Sequence, residues 1–557
     1  MTVNVAWQVL STQHRAKQVK AIPPEWLLQP DSLDKLRGAN TEDEGKLIKL
    51  DAVSKSGLLD QKDLDLTENS TAREVLDRLS RGELASEDVV RAYCKRASLA
   101  HQLTNCLTEI WFAEAIERAK WLDNQLKETG RVVGPLHGLP ISIKDSFVVK
   151  GKHATAGYVE FLRRPVPEEN SALVNLLLDA GAVIYCKTNV PQTMMTADSE
   201  NNVFGRTLNP HNTKLTAGGS TGGEGALVAF RGSILGVGTD IAGSIRIPSL
   251  CCGVYGFKPT IDRIPFGGQI SSPHPGSILG GIKPAAGPVT NSVGDLSLFM
   301  DVVMRQRPWK YDATAIDIPW RSLPHGEANS LVVGVLPEDP AYPLHPPVQR
   351  ALESAASALE KAGHQVVRLP IDPSRSVSLG GRIGFQYFFL MEPESTNLSE
   401  EIGEPLVASV ARGVHPFTKA GFPVSPELDR ATQFADLNSV RDAYAEMWQK
   451  TWLDHSLDVI LAPGAISTAV PHDTYGNPMY TLMWNVLDYP AGNIPYSFSS
   501  KDKDPKPQAA TADFDADYVP EATHGAPCSV QVIASRFRDE ECLRAMEVID
   551  AVLHNDN

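Results

Sequence analysis

A chain of 557 residues, 42% hydrophobic and 21% charged, can bury a large core and falls outside the disordered and fibrous classes. Its 52 Lys and Arg against 67 Asp and Glu leave a net charge of −15, which excludes the basic face that nucleic-acid phosphates require. No run approaches the ~20 apolar residues of a membrane span, and the N-terminus MTVNVAWQVLSTQHRAKQVKAIPPEW lacks a continuous apolar signal core, so the expected setting is cytoplasmic. Seven scattered cysteines suit free thiols better than a disulfide framework. The 14 histidines form no ligand spacing, and no metal is expected.

Residues 1–68 are polar, with the loop signal AIPPEW and the charged run NTEDEGK, and are expected to form an N-terminal helical extension ahead of one domain at 69–557. The segment TAREVLDRLSRGEL opens on a capping box, Thr71 with Glu74. A second helix starts at Ser86, with Glu87 and Asp88 in its first turn, where the macrodipole favours acids. A third places Ala115, Ile116, Ala119, Leu122 and Leu126 at helical spacing and stops at Gly130.

Short apolar runs then alternate with helical ones: LPISIK, a helix over 171–180, AVIYCK, the helical EGALVAF and the strand-like SILGVGT. The alternation resumes with SLVVGVL, a helix over 347–362, QVVRL and DVILAP. Strand and helix in turn imply an α/β sheet covered by helices. Gly and Pro cluster between 205 and 287, marking a loop-rich centre, and 499–527 reads as a long surface loop.

Three pieces of that sequence carry chemistry. Lys144 ends the apolar LPISIK; a lysine at a strand end is usually exposed, but one at the mouth of a buried strand is a candidate neutral base, because desolvation disfavours the ammonium form. Half deprotonation near neutrality needs a fall of about 3 units, or ~4 kcal/mol. Ser220 lies in GGSTG, which spells a nucleophile elbow, yet the preceding NPHNTKLTA is polar and turn-prone instead of a strand. A phosphate loop fails too, since Glu224 and Gly225 stand where Lys and Ser/Thr are required. A plain glycine-rich turn opening a helix therefore stays open for Ser220. Ser244 lies in GTDIAGSIRIP, where the amides of Ile241, Ala242, Gly243 and Ser244 could converge on an oxyanion. Asp240 and Arg246 flank it and are expected to form an ion pair that braces the loop.

Together the three pieces resemble the amidase signature family of serine hydrolases. LTAGGSTGGEGALVAFRGSILGVGTDIAGSIRIPSLCCGVYGFKPT is similar to that family's signature along its whole length, GPLHGLPISIKDSF to its lysine segment, and NVLDYPAGNIP and CSVQVIASRFRDEECL to its C-terminal portion. The resemblance spans roughly residues 70–550 and is nearest to the fungal acetamidase-like, general amidase branch. It implies the amidase signature fold, a large mixed twisted sheet surrounded by helices. It also implies a Ser-cisSer-Lys triad on Ser244 as nucleophile, Ser220 as bridge and Lys144 as base, with the Gly219-Ser220 peptide cis. The oxyanion hole would be the backbone amides of Ile241, Ala242, Gly243 and Ser244.

Two departures from the family pattern, Ala242 for glycine and Thr221 for a second serine, keep an N–H and a hydroxyl respectively. Met194 and Met195 fall where members touch the acyl side of the substrate, although core methionines would read the same. Met483, Trp484 and Tyr489 are further lining candidates. The expected activity is cofactor-independent hydrolysis of a small-molecule amide through an acyl-enzyme, with a homodimer as candidate assembly. The alternatives are a glutaminase-type amidotransferase A subunit working with partner chains, an acyltransferase using the same acyl-enzyme, and a catalytically dead binding module.

Overall fold

The computed structural model describes residues 6–270, 281–323, 330–391, 399, 402–412, 421–511 and 514–554. The strands, in chain order, are β1 (Leu107–Ile110), β2 (Pro140–Lys144), β3 (Val183–Thr188), β4 (Glu200–Asn201), β5 (Gly205–Arg206), β6 (Leu235–Asp240) and β7 (Tyr255–Lys258). After them come β8 (Ala285–Thr290), β9 (Val332–Val335), β10 (Gln365–Arg368), β11 (Val459–Pro463), β12 (Ala491–Phe498) and β13 (Pro527–Ile533). Eleven make one mixed sheet in the order β1-β3-β2-β6-β8-β7-β12-β13-β11-β9-β10, and β4 and β5 form a separate short ladder.

Two parallel blocks, β3-β2-β6 and β11-β9-β10, are joined through antiparallel strands. Every residue of β2, β3 and β6 is buried, the polar Ser142, Lys144, Lys187, Thr188 and Asp240 included. Strands buried on both faces belong to sheet interiors covered by helices. The helix Gly222–Ala229 packs on β2, β3, β6 and β8, and this sets the turn that carries Ser220 beside the ends of β2 and β6.

Local signals explain the leading helices. Thr71 Oγ1 accepts the Glu74 amide and the Glu74 carboxylate accepts the Thr71 amide, the reciprocal box that starts the helix Ala72–Ser80. The helix Phe112–Thr129 ends where Gly130 turns to φ 66°. Helices also fill the first 68 residues, among them Trp7–Lys20 and Gln61–Glu68. They lie against the sheet: Gln18 Oε1 accepts the amide of Ile110 in β1 at 2.8 Å, and Ile22, Trp26, Leu36 and Leu47 join the same apolar core as the strands.

All seven cysteines are free and buried. Among the described residues no helix is long and apolar enough to cross a membrane, and no group of three His, Cys, Asp or Glu is placed to hold a metal ion.

Candidate active site

The carboxyl ends of neighbouring parallel strands are where open α/β sheets place ligands. Here β2 ends on Lys144 and β6 ends on Thr239 and Asp240, and the two strands are parallel neighbours. Lys144 is fully buried, and its Nζ lies 2.7 Å from Ser220 Oγ and 2.7 Å from Thr239 Oγ1. Burial pushes the Lys144 amine down from 10.5 to about 7, against the opposing pull of Asp240, Glu224 and Asp145. The sequence argument required a drop of this size for a neutral base.

Ser220 is buried, and the Gly219-Ser220 peptide is cis. The next amide, of Thr221, donates to the carbonyl of Ser244 at 3.2 Å and so ties the two serine loops together. Thr221 Oγ1 reaches the carbonyl of Thr239 at 3.3 Å. Ser244 and Gly219 both line one cavity, and Lys144 and Ser220 are buried next to them in the chain or across the strand ends. In this resting geometry the Ser244 hydroxyl makes no hydrogen bond to Ser220; contacts of that kind often close only once substrate is bound.

Asp240 and Arg246 brace the Ser244 loop from inside. Arg246 Nε and Nη2 donate to the two Asp240 oxygens at 3.0 and 2.9 Å, and both side chains are fully buried. Arg246 also reaches Gln531 Oε1 and Asn485 Oδ1, each at 2.7 Å, which ties the loop to β13 and to the helix Met479–Val486. Burial works against charge on Asp240, but the guanidinium and the Asn485 amide overcome it and hold the carboxyl well below its usual range.

One member of the expected oxyanion set is already occupied. The amide of Gly243 donates to Asp240 Oδ1 at 2.8 Å, so it shapes the loop instead of facing the cavity. The amides of Ile241, Ala242 and Ser244 have no protein partner among the described residues. Gly243 is required here for space and for conformation. Its φ is +123°, and a Cβ at this position would come 2.3 Å from Thr481 Oγ1. Ala242 keeps a negative φ, so the departure from glycine there costs no strain.

Met194 and Met195 line the cavity with Phe385, Phe388, Tyr475 and Phe514, an aromatic wall drawn from distant segments. Trp484 does not line it. That side chain is fully buried, with Trp448 edge-on at 5.2 Å and Tyr489 stacked at 6.2 Å, because its position on the helix Met479–Val486 faces the core. Met483 is buried in the same layer, and Tyr489 is nearly so. Sequence reasoning missed Thr239 and Asp145, although both lie inside segments it singled out. Asp145, fully buried, accepts from Thr108, from the hydroxyl and amide of Thr155 and from the amide of Ala156, pinning the loop that follows Lys144. The cavity aromatics carried no motif that could have revealed them.

A mixed eleven-stranded sheet with a buried lysine bonded to a serine at its strand ends, below a cavity and a glycine-serine loop, defines a class of amide hydrolases. The amidase family model matches residues 88–543. An amidase of Gibberella moniliformis is 40% identical over 98% of this chain and 98% of its own length, and an acetamidase of Emericella nidulans is 36% identical over 99% of both. Among solved structures a fatty acid amide hydrolase superposes with a TM-score of 0.87 at 30% identity, covering 98% of this chain and 95% of its own. The chain belongs to the amidase family, the amidase signature enzymes, and is an amide-hydrolysing enzyme.

Proposed function

We propose that this enzyme cleaves its amide through an acyl-enzyme on Ser244, with Ser220 as the bridging hydroxyl and Lys144 as the base. The observation that carries the reading is the 2.7 Å contact between a fully buried Lys144 Nζ and Ser220 Oγ. A neutral Lys144 takes the Ser220 proton while Ser220 Oγ takes the Ser244 proton, and Ser244 Oγ forms the bond to the carbonyl carbon. The carbonyl electron pair moves onto oxygen, where the amides of Ile241, Ala242 and Ser244 receive it; one such donor is worth ~3 kcal/mol in the transition state. Ser220 then hands its proton to the departing nitrogen and recovers one from Lys144, the C–N bond breaks, and ammonia or an amine leaves. Water enters by the same relay and releases the acid.

The wall formed with Phe385, Phe388, Phe514, Met194 and Met195 favours an amide with an apolar acyl part. In this reading 69–557 is the catalytic unit and residues 1–68 brace β1. Coverage of nearly the whole length of an amidase and an acetamidase favours amide hydrolysis over work as an amidotransferase subunit.

The test is Ser244→Ala assayed on aliphatic and arylalkyl amides beside a fluorophosphonate label. Turnover and labelling should both disappear with the fold intact, and a variant that still turns over at the wild-type rate removes Ser244 as nucleophile.

A further inference from the structure

Glu224, in the first turn of the helix Gly222–Ala229, is fully buried, and no step above uses it. Its Oε2 lies 2.5 Å from Ser142 Oγ, and its Oε1 accepts from Thr188 Oγ1 at 2.9 Å. Ser142 stands two residues before Lys144 on β2 and therefore on the same face, while Thr188 is the register partner of Lys144 on β3. The carboxyl is thus held by one strand neighbour of Lys144 and by its neighbour across the ladder. Gly236 makes the niche, for a Cβ there would come 2.1 Å from Oε2. No cation lies within ion-pair distance of Glu224 among the described residues.

The hydroxyl chain behind Glu224 indicates its protonation. Ser233 Oγ donates to the Leu235 carbonyl at 2.9 Å, and Ser142 Oγ lies 2.8 Å from Ser233 Oγ as well as 2.5 Å from Glu224. Each hydroxyl has one proton. With the Ser233 proton on Leu235, the proton of Ser142 can serve Ser233 or Glu224 but not both. All three contacts are satisfied together only when Glu224 carries a proton and donates it to Ser142.

We propose that Glu224 is a positioning residue for the reaction, a buried neutral acid whose proton, held in the Ser142–Ser233 chain, keeps Lys144 uncharged and ready as base. The proposal rests on Lys144 acting as base. An ionised Glu224 would hold a proton on Lys144 through space, whereas a protonated one releases it, so the two groups titrate as a pair. Burial pushes the Glu224 carboxyl up to about 8, with the Ser142 and Thr188 hydroxyls and Lys144 opposing, the direction that a neutral acid in this niche requires.

Of the titratable groups packed around the pair, two carboxylates act on Lys144 besides Glu224, and Asp240 acts more strongly than Glu224 does. On β3, burial drives Cys186 and Tyr185 up, and it does the same to Cys106 ahead of β1, Cys94 on the helix Ser86–Thr104 and Cys252 on the helix Arg246–Cys252. Arg246, on that last helix, is bound to Asp240. Asp145 and Asp240 act on Lys144 from the ends of β2 and β6, and β8 brings no charged residue.

The experiment is the pH profile of kcat/KM on one soluble neutral amide for Glu224→Gln and Ser233→Ala, beside Lys144→Ala and Ser244→Ala. Glu224→Gln keeps a neutral group in the niche, so the half-maximal pH should stay where it is in wild type with the alkaline rate retained. Ser233→Ala frees the Ser142 proton for the ionised carboxylate, so the midpoint should rise, with no charge altered. A packing role alone would lower kcat at all pH values without moving the midpoint. An unmoved midpoint in Ser233→Ala, or a fall of about 1 unit in Glu224→Gln, which would show an ionised carboxylate in the wild-type enzyme, overturns the proposal; if Glu224→Gln does not fold, the direction taken by Ser233→Ala decides. Activity surviving in Lys144→Ala and Ser244→Ala would instead remove the triad reading itself.

Discussion

Asp240 and Arg246 grip one another at 2.9 and 3.0 Å in a site without solvent, and the loop Ile241–Ala242–Gly243–Ser244 is strung between them. Asp240 also takes the amides of Gly243 and Ile245, at 2.8 and 3.2 Å, so one carboxylate fixes the curvature of the loop on both sides of Ser244. The remaining amides are thereby turned free of partners.

Breaking that pair should cost both stability and activity. Arg246→Met leaves the Asp240 charge buried without its partner, a loss of about 3–5 kcal/mol. Arg246→Lys should not restore the enzyme, because a single ammonium cannot span Asp240, Asn485 and Gln531 as the planar guanidinium does. Urea unfolding midpoints together with kcat/KM decide the matter, and an unaltered midpoint in Arg246→Met would show that the brace is dispensable.

Lys144 couples activity to pH and opposes stability. As base it must be neutral, so kcat/KM should fall as pH drops through about 7. Its folded value lies below the ordinary 10.5, so the unfolded chain binds the extra proton between those limits. The resulting penalty is full below the folded value and fades as pH rises toward the unfolded one. Lys144→Met should therefore be inactive yet more stable than wild type at pH 7, with the gain shrinking by pH 10. Denaturant curves at the two pH values check this, and an equal or larger gain at pH 10 would contradict the sign.

Two aromatic residues should separate selectivity from packing. Phe388 lines the cavity, so Phe388→Ala should change the ranking of acyl groups, widening acceptance of branched or aryl amides. Trp484 sits wholly in the core, so Trp484→Ala should cost about 3–5 kcal/mol of stability and leave that ranking as it was. A panel of amides scored by kcat/KM beside thermal melts gives both readouts. A change of ranking in Trp484→Ala, with Phe388→Ala unaltered, would reverse these placements.

How far the site could be read in advance differs from residue to residue. Lys144, Ser220 and Ser244 stand in local patterns of glycine, hydroxyl and charge that mark them as candidates, as do Asp240 and Arg246 six residues apart, but each serine and the lysine also fitted a structural role, and the resemblance to the amidase signature is what joined them into a triad. The amide of Gly243 shows the limit. Nothing in GTDIAGSIRIP tells whether a backbone N–H meets the cavity or the carboxylate three residues earlier, because that depends on how the chain turns. Trp484 shows the same limit, since on a helix buried all round the sequence does not say which side meets the cavity.

Periodicity, caps and glycine stops in the chain itself determined the helices, the buried strands and the short segments that hold reactive side chains. Pairing was decided only in three dimensions: β2 beside β6, Ser220 against Lys144, Glu224 in the gap left by Gly236, and Phe388 and Phe514 in the lining of one cavity. The physical reason is range. Backbone propensity and hydrogen-bond caps act over a few residues, whereas burial, desolvation of Lys144 and the shape of the cavity arise from groups hundreds of residues apart that meet only when the sheet closes.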